Sequence, residues 1–234
     1  MIYIATHTDF TEYKKEGEYT IMTSKPLQGT YSFPVIEADN DLKPMQFAYA
    51  EGYMIHDIYT HIEDNPNEWI GLNHYRRYFD NPTDTITLPQ PYLTNMHRQY
   101  AGCHNANDLH KVERIIDEYY PEYSTDYTGI NEMFICNMFI LPKQDFITYH
   151  NFVFGVLDIF NQQNNLHTDE DVKKYVERNK EQYNKSIINT TYQSRLQGFL
   201  MERIGTIFFL KYRKEHPDVS YLPIKITDNP QRTY

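Results

Sequence analysis

The run Trp69-Ile70-Gly71-Leu72-Asn73-His74-Tyr75-Arg76-Arg77-Tyr78-Phe79 constrains this chain more than any other stretch. It begins as a buried strand and ends in a cluster of cations, aromatic rings and one imidazole. A helical pattern from Pro44 to about His61 precedes it, stopped by the turn Asp64-Asn65-Pro66-Asn67. Helix, short turn and strand make half of an α/β unit. The carboxyl end of such a strand is where an α/β sheet opens its ligand crevice. Two adjacent arginines there suit a core poorly, because each guanidinium stays charged and needs an anion or several acceptors. A phosphate or diphosphate is the simplest ligand for them; the alternative is a surface ion-pair network. Strand alternation sets His74 and Arg76 on one face and Tyr75 and Arg77 on the other, so both arginines reach one ligand only if the strand has already ended.

The rest of the chain keeps the same alternation of elements. Ile2 to Ala5 reads as a short interior strand, followed by the polar turn Thr6-His7-Thr8-Asp9. Residues 10 to 34, with Gly17, Pro26, Gly29 and Pro34, read as irregular. Asp41 is the expected N-cap of the helix from Pro44. Residues 82 to 107 read as a long loop, Asp108 to Tyr119 as a helix, and Met133 to Leu141 as a buried strand ended by Pro142. Helices are expected from Asp145 to about Asn161 and over the charged segment 168 to 182. One long helix is expected from Thr190 to about Lys214, then a short strand, Tyr221 to Ile226, and a polar tail. The expected fold is α/β, a single domain over 1–234 with a mixed central sheet flanked by helices and a long C-terminal helix.

The bulk properties exclude several classes. Mean hydropathy is −0.69, and no apolar run approaches the ~20 residues that span a bilayer, so no transmembrane segment is expected. The opening Met1-Ile2-Tyr3-Ile4-Ala5-Thr6 lacks a basic region and a long apolar stretch, so no signal peptide is expected either. Two cysteines, Cys103 and Cys136, argue against a disulfide framework and for a cytoplasmic setting. A net charge of −10 disfavours non-specific nucleic-acid binding, although a local basic groove stays open. The 22 tyrosines suit sugar or base stacking as well as core-edge packing.

Thr6-His7 has the position of a nucleotide-site element after a first strand, but there is no G-x-G-x-x-G and no P-loop to cradle phosphates. Asn137, inside an apolar run, either braces neighbouring backbone or meets a substrate hydroxyl, whereas Cys136 reads as inert core. Tyr192, Arg195, Phe199 and Glu202, at spacings of three, four and three, fall on one helical face with Arg203 beside them. They flank a site or pin the helix to the sheet. His97, Cys103, His104 and His110 match no standard zinc spacing, so no metal site is expected. Asp39-Asn40-Asp41 has the D-x-D form that holds Mn²⁺ or Mg²⁺ in many nucleotide-sugar transferases, but it precedes a helix. No such pair follows the Trp69 strand.

Ile70 to Phe79, the Asn137-Met138-Phe139-Ile140 segment before an aromatic-rich helix, and Arg195 with Gly198-Phe199 and Glu202-Arg203 together resemble the domain-of-unknown-function family 4422. The Ile2-to-His7 start resembles that family's opening strand. Where the family carries a Cys-Glu-Leu-Thr-like stretch, this chain has Phe47-Ala48-Tyr49-Ala50-Glu51. The resemblance implies a GT-A-like glycosyltransferase of surface-polysaccharide clusters, using a nucleotide-sugar donor, UDP-sugar foremost, and a glycan acceptor. A phage member would instead glycosylate a hydroxymethylated base in DNA, and a non-catalytic nucleotide-sugar or glycan-binding module is a further alternative. On this reading Thr6 and His7 contact the nucleoside, and His74, Arg76 and Arg77 neutralise the diphosphate with no cofactor required. Asn137 orients a sugar, while Asn73, Tyr75, Arg195 and Arg203 complete the donor-binding set. Glu202 is the expected general base, with His74 second. The oligomeric state is left open.

Overall fold

The computed structural model describes residues 1–12, 18–80, 82–183 and 189–227; the reading at Gly17 and most of the polar tail lie outside them. Strand β1 (Ile2–Thr6) is followed by β2 (Tyr19–Thr23) and β3 (Val35–Glu37), then by two short helices, α1 (Gln46–Tyr49) and α2 (Glu51–Thr60). Next come β4 (Trp69–His74), β5 (Arg77–Phe79), β6 (Thr87–Pro89), α3 (Met96–Cys103) and α4 (Ala106–Tyr119). Strand β7 (Phe139–Pro142) leads into α5 (Lys143–Asn164), α6 (Asp169–Arg178), α7 (Thr190–Gln193) and α8 (Leu196–Glu215), and β8 (Ser220–Leu222) and β9 (Ile224–Ile226) follow.

The sheet runs β3-β2-β1-β4-β7-β6-β8, with β5 pairing the tip of β4 and then β9. β3, β2, β1 and β4 are mutually parallel, whereas β7 is antiparallel to both β4 and β6. The sheet is therefore mixed, as expected. β1 and β4 sit at its centre, buried on both faces, which is why they read as continuous apolar runs. Gly71 allows their close approach: a Cβ there would lie 2.8 Å from Ile2 Cγ1. Tyr3 and Ala5 face the main core, where α2, α4, α5 and α8 pack. Ile4, with Ile21 and Tyr75, packs on the opposite face under loop residues such as Phe10, Leu27 and Phe33.

Several expected boundaries are corrected. Tyr19–Thr23 is a fully buried strand inside the stretch expected to be irregular; the flanking Gly and Pro residues obscured a β-branched run. Residues 82–107 hold β6 and α3 rather than one long loop. The helix expected from Pro44 is a 3₁₀ turn, Lys43–Met45, then α1 and α2 interrupted at Ala50, which has φ 52° and ψ −120°. Asp41 does not cap it but pairs with His56 Nε2 at 2.8 Å. The strand expected from Met133 begins only at Phe139, because Cys136 and Asn137 have φ of 70° and 50°. The C-terminal strand is divided into β8 and β9 at Pro223. The long final helix is broken at Ser194–Arg195, leaving α7 and the 20-residue α8.

Candidate active site

The chain leaves β1 toward β2 on one side and returns through α1 and α2 to β4 on the other. The strand order therefore reverses between β1 and β4, and a crevice is expected at their carboxyl ends. β4 stops at His74, which pairs with Arg77 across a two-residue turn, Tyr75-Arg76. The strand has thus ended before alternation can separate the arginines, and Arg76 and Arg77 line the same cleft, of about 320 Å³.

The opposite wall comes from the end of the chain. Tyr192 of α7, Arg195 at the break, and Phe199, Glu202 and Arg203 of α8 all face the cleft. Gly198 lets α8 approach: a Cβ there would sit 3.2 Å from the Tyr49 carbonyl oxygen and 3.1 Å from Ala50 Cβ. Gln99 enters from the middle of α3, Cys103 and His104 from its end, and Glu51 from the start of α2. His104 stacks on Phe199 with centroids 4.1 Å apart, and Tyr192 packs on Phe199 at 4.9 Å. Burial, reinforced by the Arg203 charge, pulls the His104 imidazole down to about 4, so it is neutral.

Four arginines and two glutamates line this cleft, in a protein whose net charge is −10. Arg203, 2% exposed, donates from Nη1 to the Phe199 carbonyl at 2.9 Å and to Glu202 Oε2 at 3.0 Å, and from Nη2 to Gln99. Glu202 Oε1 accepts the Cys136 N–H at 2.8 Å, which fixes the left-handed turn. Arg195 Nη2 lies 3.5 Å from Glu51 Oε2. Arg76 and Arg77 are half-buried, and no ion pair to a carboxylate reaches either among the described residues. Arg76 lies over the Tyr75 ring at 5.0 Å, and its buried Nε has no hydrogen-bond partner among the described residues.

His74 lies beneath the arginines rather than among the cleft-lining side chains. Its Nδ1 accepts the Arg76 backbone N–H at 3.1 Å, and its Nε2 faces Glu51 Oε1 at 3.1 Å. The imidazole is thus a neutral tautomer with Nε2–H donating to the carboxylate. Burial lowers its pKa, against the raising effect of Glu51 and with a smaller lowering from Arg76 and Arg77. Burial pushes the Glu51 carboxyl upward, but the His74 hydrogen bond and the Arg195 charge outweigh it and hold the group below the usual carboxylate range.

The other expected residues distribute unevenly. His7 lines a second hollow of about 180 Å³ with Lys25, Phe47, Ala50 and Met54, and Arg195 lines both hollows, so the two adjoin. Thr6 Oγ is taken up by its own turn, donating to the Thr8 carbonyl at 2.6 Å. Tyr75 is 2% exposed and packs edge-on to His7 at 5.4 Å. Asn73 accepts the Phe79 N–H at 3.3 Å and closes the hairpin. Asn137 is buried in the left-handed turn; its neighbour Cys136 faces the cleft, with its thiol pushed up to about 12 by burial and so protonated. Tyr192 was on the expected helical face, but sequence reasoning did not assign Glu51, Gln99 or His104 to the cleft. Only Glu51 had a signal, its place on the helix before the Trp69 strand.

These features define a mixed α/β protein with a cationic, ring-lined crevice at the carboxyl ends of its central strands. The chain belongs to the family described as Domain of unknown function (DUF4422), whose model matches residues 83–214. That span holds the α3, Cys136 and α8 walls, while the arginine hairpin precedes it. No curated protein sequence matches the chain. Its fold is similar to that of the WbbM bifunctional glycosyltransferase, solved in the apo state, with a TM-score of 0.71 at 15% identity over 97% of this chain and 45% of that one. The chain therefore spans under half the length of that protein. The likeness bears out the expected GT-A-like fold class. No helix is long and apolar enough to cross a membrane among the described residues.

Proposed function

We propose that this chain is a nucleotide-sugar transferase domain that moves a sugar from a nucleoside-diphosphate donor to a hydroxyl of a glycan. The observation that carries the reading is the pair of half-buried guanidiniums, Arg76 and Arg77, facing a cleft without a carboxylate partner among the described residues. Two such cations held at one hairpin tip match the two charges of a diphosphate. Leaving-group departure concentrates negative charge on that diphosphate, and fixed cations stabilise it without reorganisation. The arginines then do the work a divalent cation would do. The adjoining hollow at His7 suits the nucleoside, with Arg195 between base and phosphates. Tyr192 and Phe199 offer ring faces to a sugar. Glu202, whose carboxylate keeps acceptor capacity beyond its two bonds, takes the proton of the acceptor hydroxyl. His74 and Glu51 hold the hairpin and Arg195 in register. UDP-sugars are the donors to test first.

A glycan acceptor fits better than DNA. At the end of α8, two of the cations that could form a local basic groove are already paired, Lys211 with Glu215 at 2.9 Å and Arg213 with Glu132.

The test is a thermal-shift screen of UDP-, GDP-, CMP- and dTDP-sugars with and without Mn²⁺, on wild type and an Arg76→Ala, Arg77→Ala double variant. One nucleotide class should raise the wild-type Tm equally with and without Mn²⁺, and the double variant should lose that rise. A shift that requires Mn²⁺ refutes the metal-free reading. Tight binding without hydrolysis or transfer of any donor would leave a binding module. No shift from any nucleotide would overturn the donor site.

A further inference from the structure

Away from the cleft, the fold assembles a group that sequence spacing does not reveal. His110 and Glu113 stand three apart on one face of α4, and His97 of α3 lies against them. His97 Nε2 is 2.5 Å from Glu113 Oε1, and His110 Nδ1 is 3.0 Å from Glu113 Oε2. The three ligand atoms all fall within 4.8 Å of one another. Cys103 and His104, which share the same stretch of sequence, face the cleft instead.

We propose that His97, His110 and Glu113 bind one divalent transition-metal ion, zinc foremost, which ties α3 to α4. Glu113 is 7% exposed, and both its oxygens are directed at imidazoles. A buried carboxylate placed against two imidazoles has no fixed cation beside it, and a dication between the three groups would supply one. Two imidazole nitrogens and one carboxylate oxygen are a borderline donor set that suits zinc and not Mg²⁺ or Ca²⁺. Tetrahedral zinc with bonds of about 2.0–2.2 Å needs ligand atoms roughly 3.4 Å apart, so side-chain rotation of about an ångström converts the cluster. The metal takes the lone pairs of His97 Nε2 and His110 Nδ1. His97 Nε2 and Glu113 Oε1 are both buried without a hydrogen-bond partner among the described residues, and any proton on His110 Nδ1, hydrogen-bonded to Glu113 Oε2 at 3.0 Å, moves to Nε2 or leaves to solvent. His110, 48% exposed, leaves the fourth position open to water. The clamp would also steady Gln99, on the same helix, which holds Arg203.

The test uses untagged, EDTA-stripped protein titrated with Zn²⁺, and with Co²⁺ as a spectroscopic probe. One equivalent should bind, with a rise in Tm and a visible Co²⁺ d–d band. His97→Ala and the half-exposed His110→Ala should keep the far-UV spectrum and lose the band, with at least roughly tenfold weaker binding. X-ray absorption of the wild-type zinc form should show two imidazoles and no sulfur. Absence of binding, binding undiminished in both variants, or sulfur scattering would each overturn the proposal. None of these readouts depends on glycosyl transfer.

Discussion

Ala50 shows what a single backbone angle decides. With φ 52° and ψ −120° it ends α1, restarts the helix at Glu51 and aims that carboxylate at His74 and Arg195. An L-residue with a Cβ pays about 1–2 kcal/mol for positive φ, and such strain is retained where the surroundings over-determine it. Ala50→Gly relieves it at a cost of about 0.5–1 kcal/mol in unfolded-chain entropy. The variant should be up to about 1 kcal/mol more stable in urea denaturation, with the donor-induced Tm shift unchanged; a less stable variant would show that the methyl packing outweighs the strain. The same residue explains what the sequence did and did not disclose. Arg76 and Arg77 were legible because a charged pair at the end of an apolar strand has few physical uses. Glu51 was not, because an acid on a helix faces anywhere until the angle before it is known. The place of Glu202 on the cleft face was legible, but its bond to the Cys136 N–H was not, since that depends on a left-handed turn inside an apolar run.

Elements whose pattern is long and regular were read well. α5 shows its apolar spacing over 22 residues, and the centre of β4 is a plain apolar run. Interruptions were not read, because one residue of irregular backbone does not disturb hydrophobic periodicity. The break before α8 is the example that matters most: Tyr192 and Arg195 reach the cleft from α7 and the N-cap rather than from a continuous helical face. α8 is placed by Gly198 against the Tyr49 carbonyl and Ala50. Gly198→Ala should therefore push the helix start outward, costing about 1–3 kcal/mol and weakening the donor response through Arg195 and Phe199. Adding Ala50→Gly should recover only part of that loss, since the Tyr49 carbonyl remains in the way. Full recovery in the double variant would mean that the Ala50 methyl alone sets the spacing.

Across the whole molecule, buried ionisable groups set a pH profile. Burial pulls His104 to about 4 and His150 to about 3, and pushes Asp108 up to about 6. A depressed histidine stabilises the fold above its unfolded value, about 6.5, and that stability is lost as pH falls toward the folded value. A raised aspartate works the other way: its contribution is present below about 3.9 and is lost as pH rises through about 6. Between pH 5 and 6 each of these two histidines adds about 1.4 kcal/mol per pH unit and Asp108 subtracts as much, so among the three the histidines win by about one such increment; His74, lowered by burial, acts with them, and Asp158 and Asp169, raised by burial, act with Asp108. Unfolding free energy should rise by about 1–2 kcal/mol from pH 5 to 6 and level off above 6.5. Asp108→Asn, which keeps an acceptor for the Tyr175 hydroxyl at 2.5 Å, should steepen that slope and raise stability at pH 7.5. A flat profile in the wild type would contradict the burial of both rings.

The order in which the cleft's parts are made carries one more consequence. β1 can pair early with β2, but its other neighbour, β4, arrives much later in the chain, a long-range pairing that closes slowly. The hairpin bearing Arg76 and Arg77 is translated well before α7 and α8, which carry the rings and the carboxylate of the opposite wall. A chain growing from the ribosome thus presents two cations long before the opposite wall encloses them, and β9, which pairs with the arginine strand, is made later than that wall.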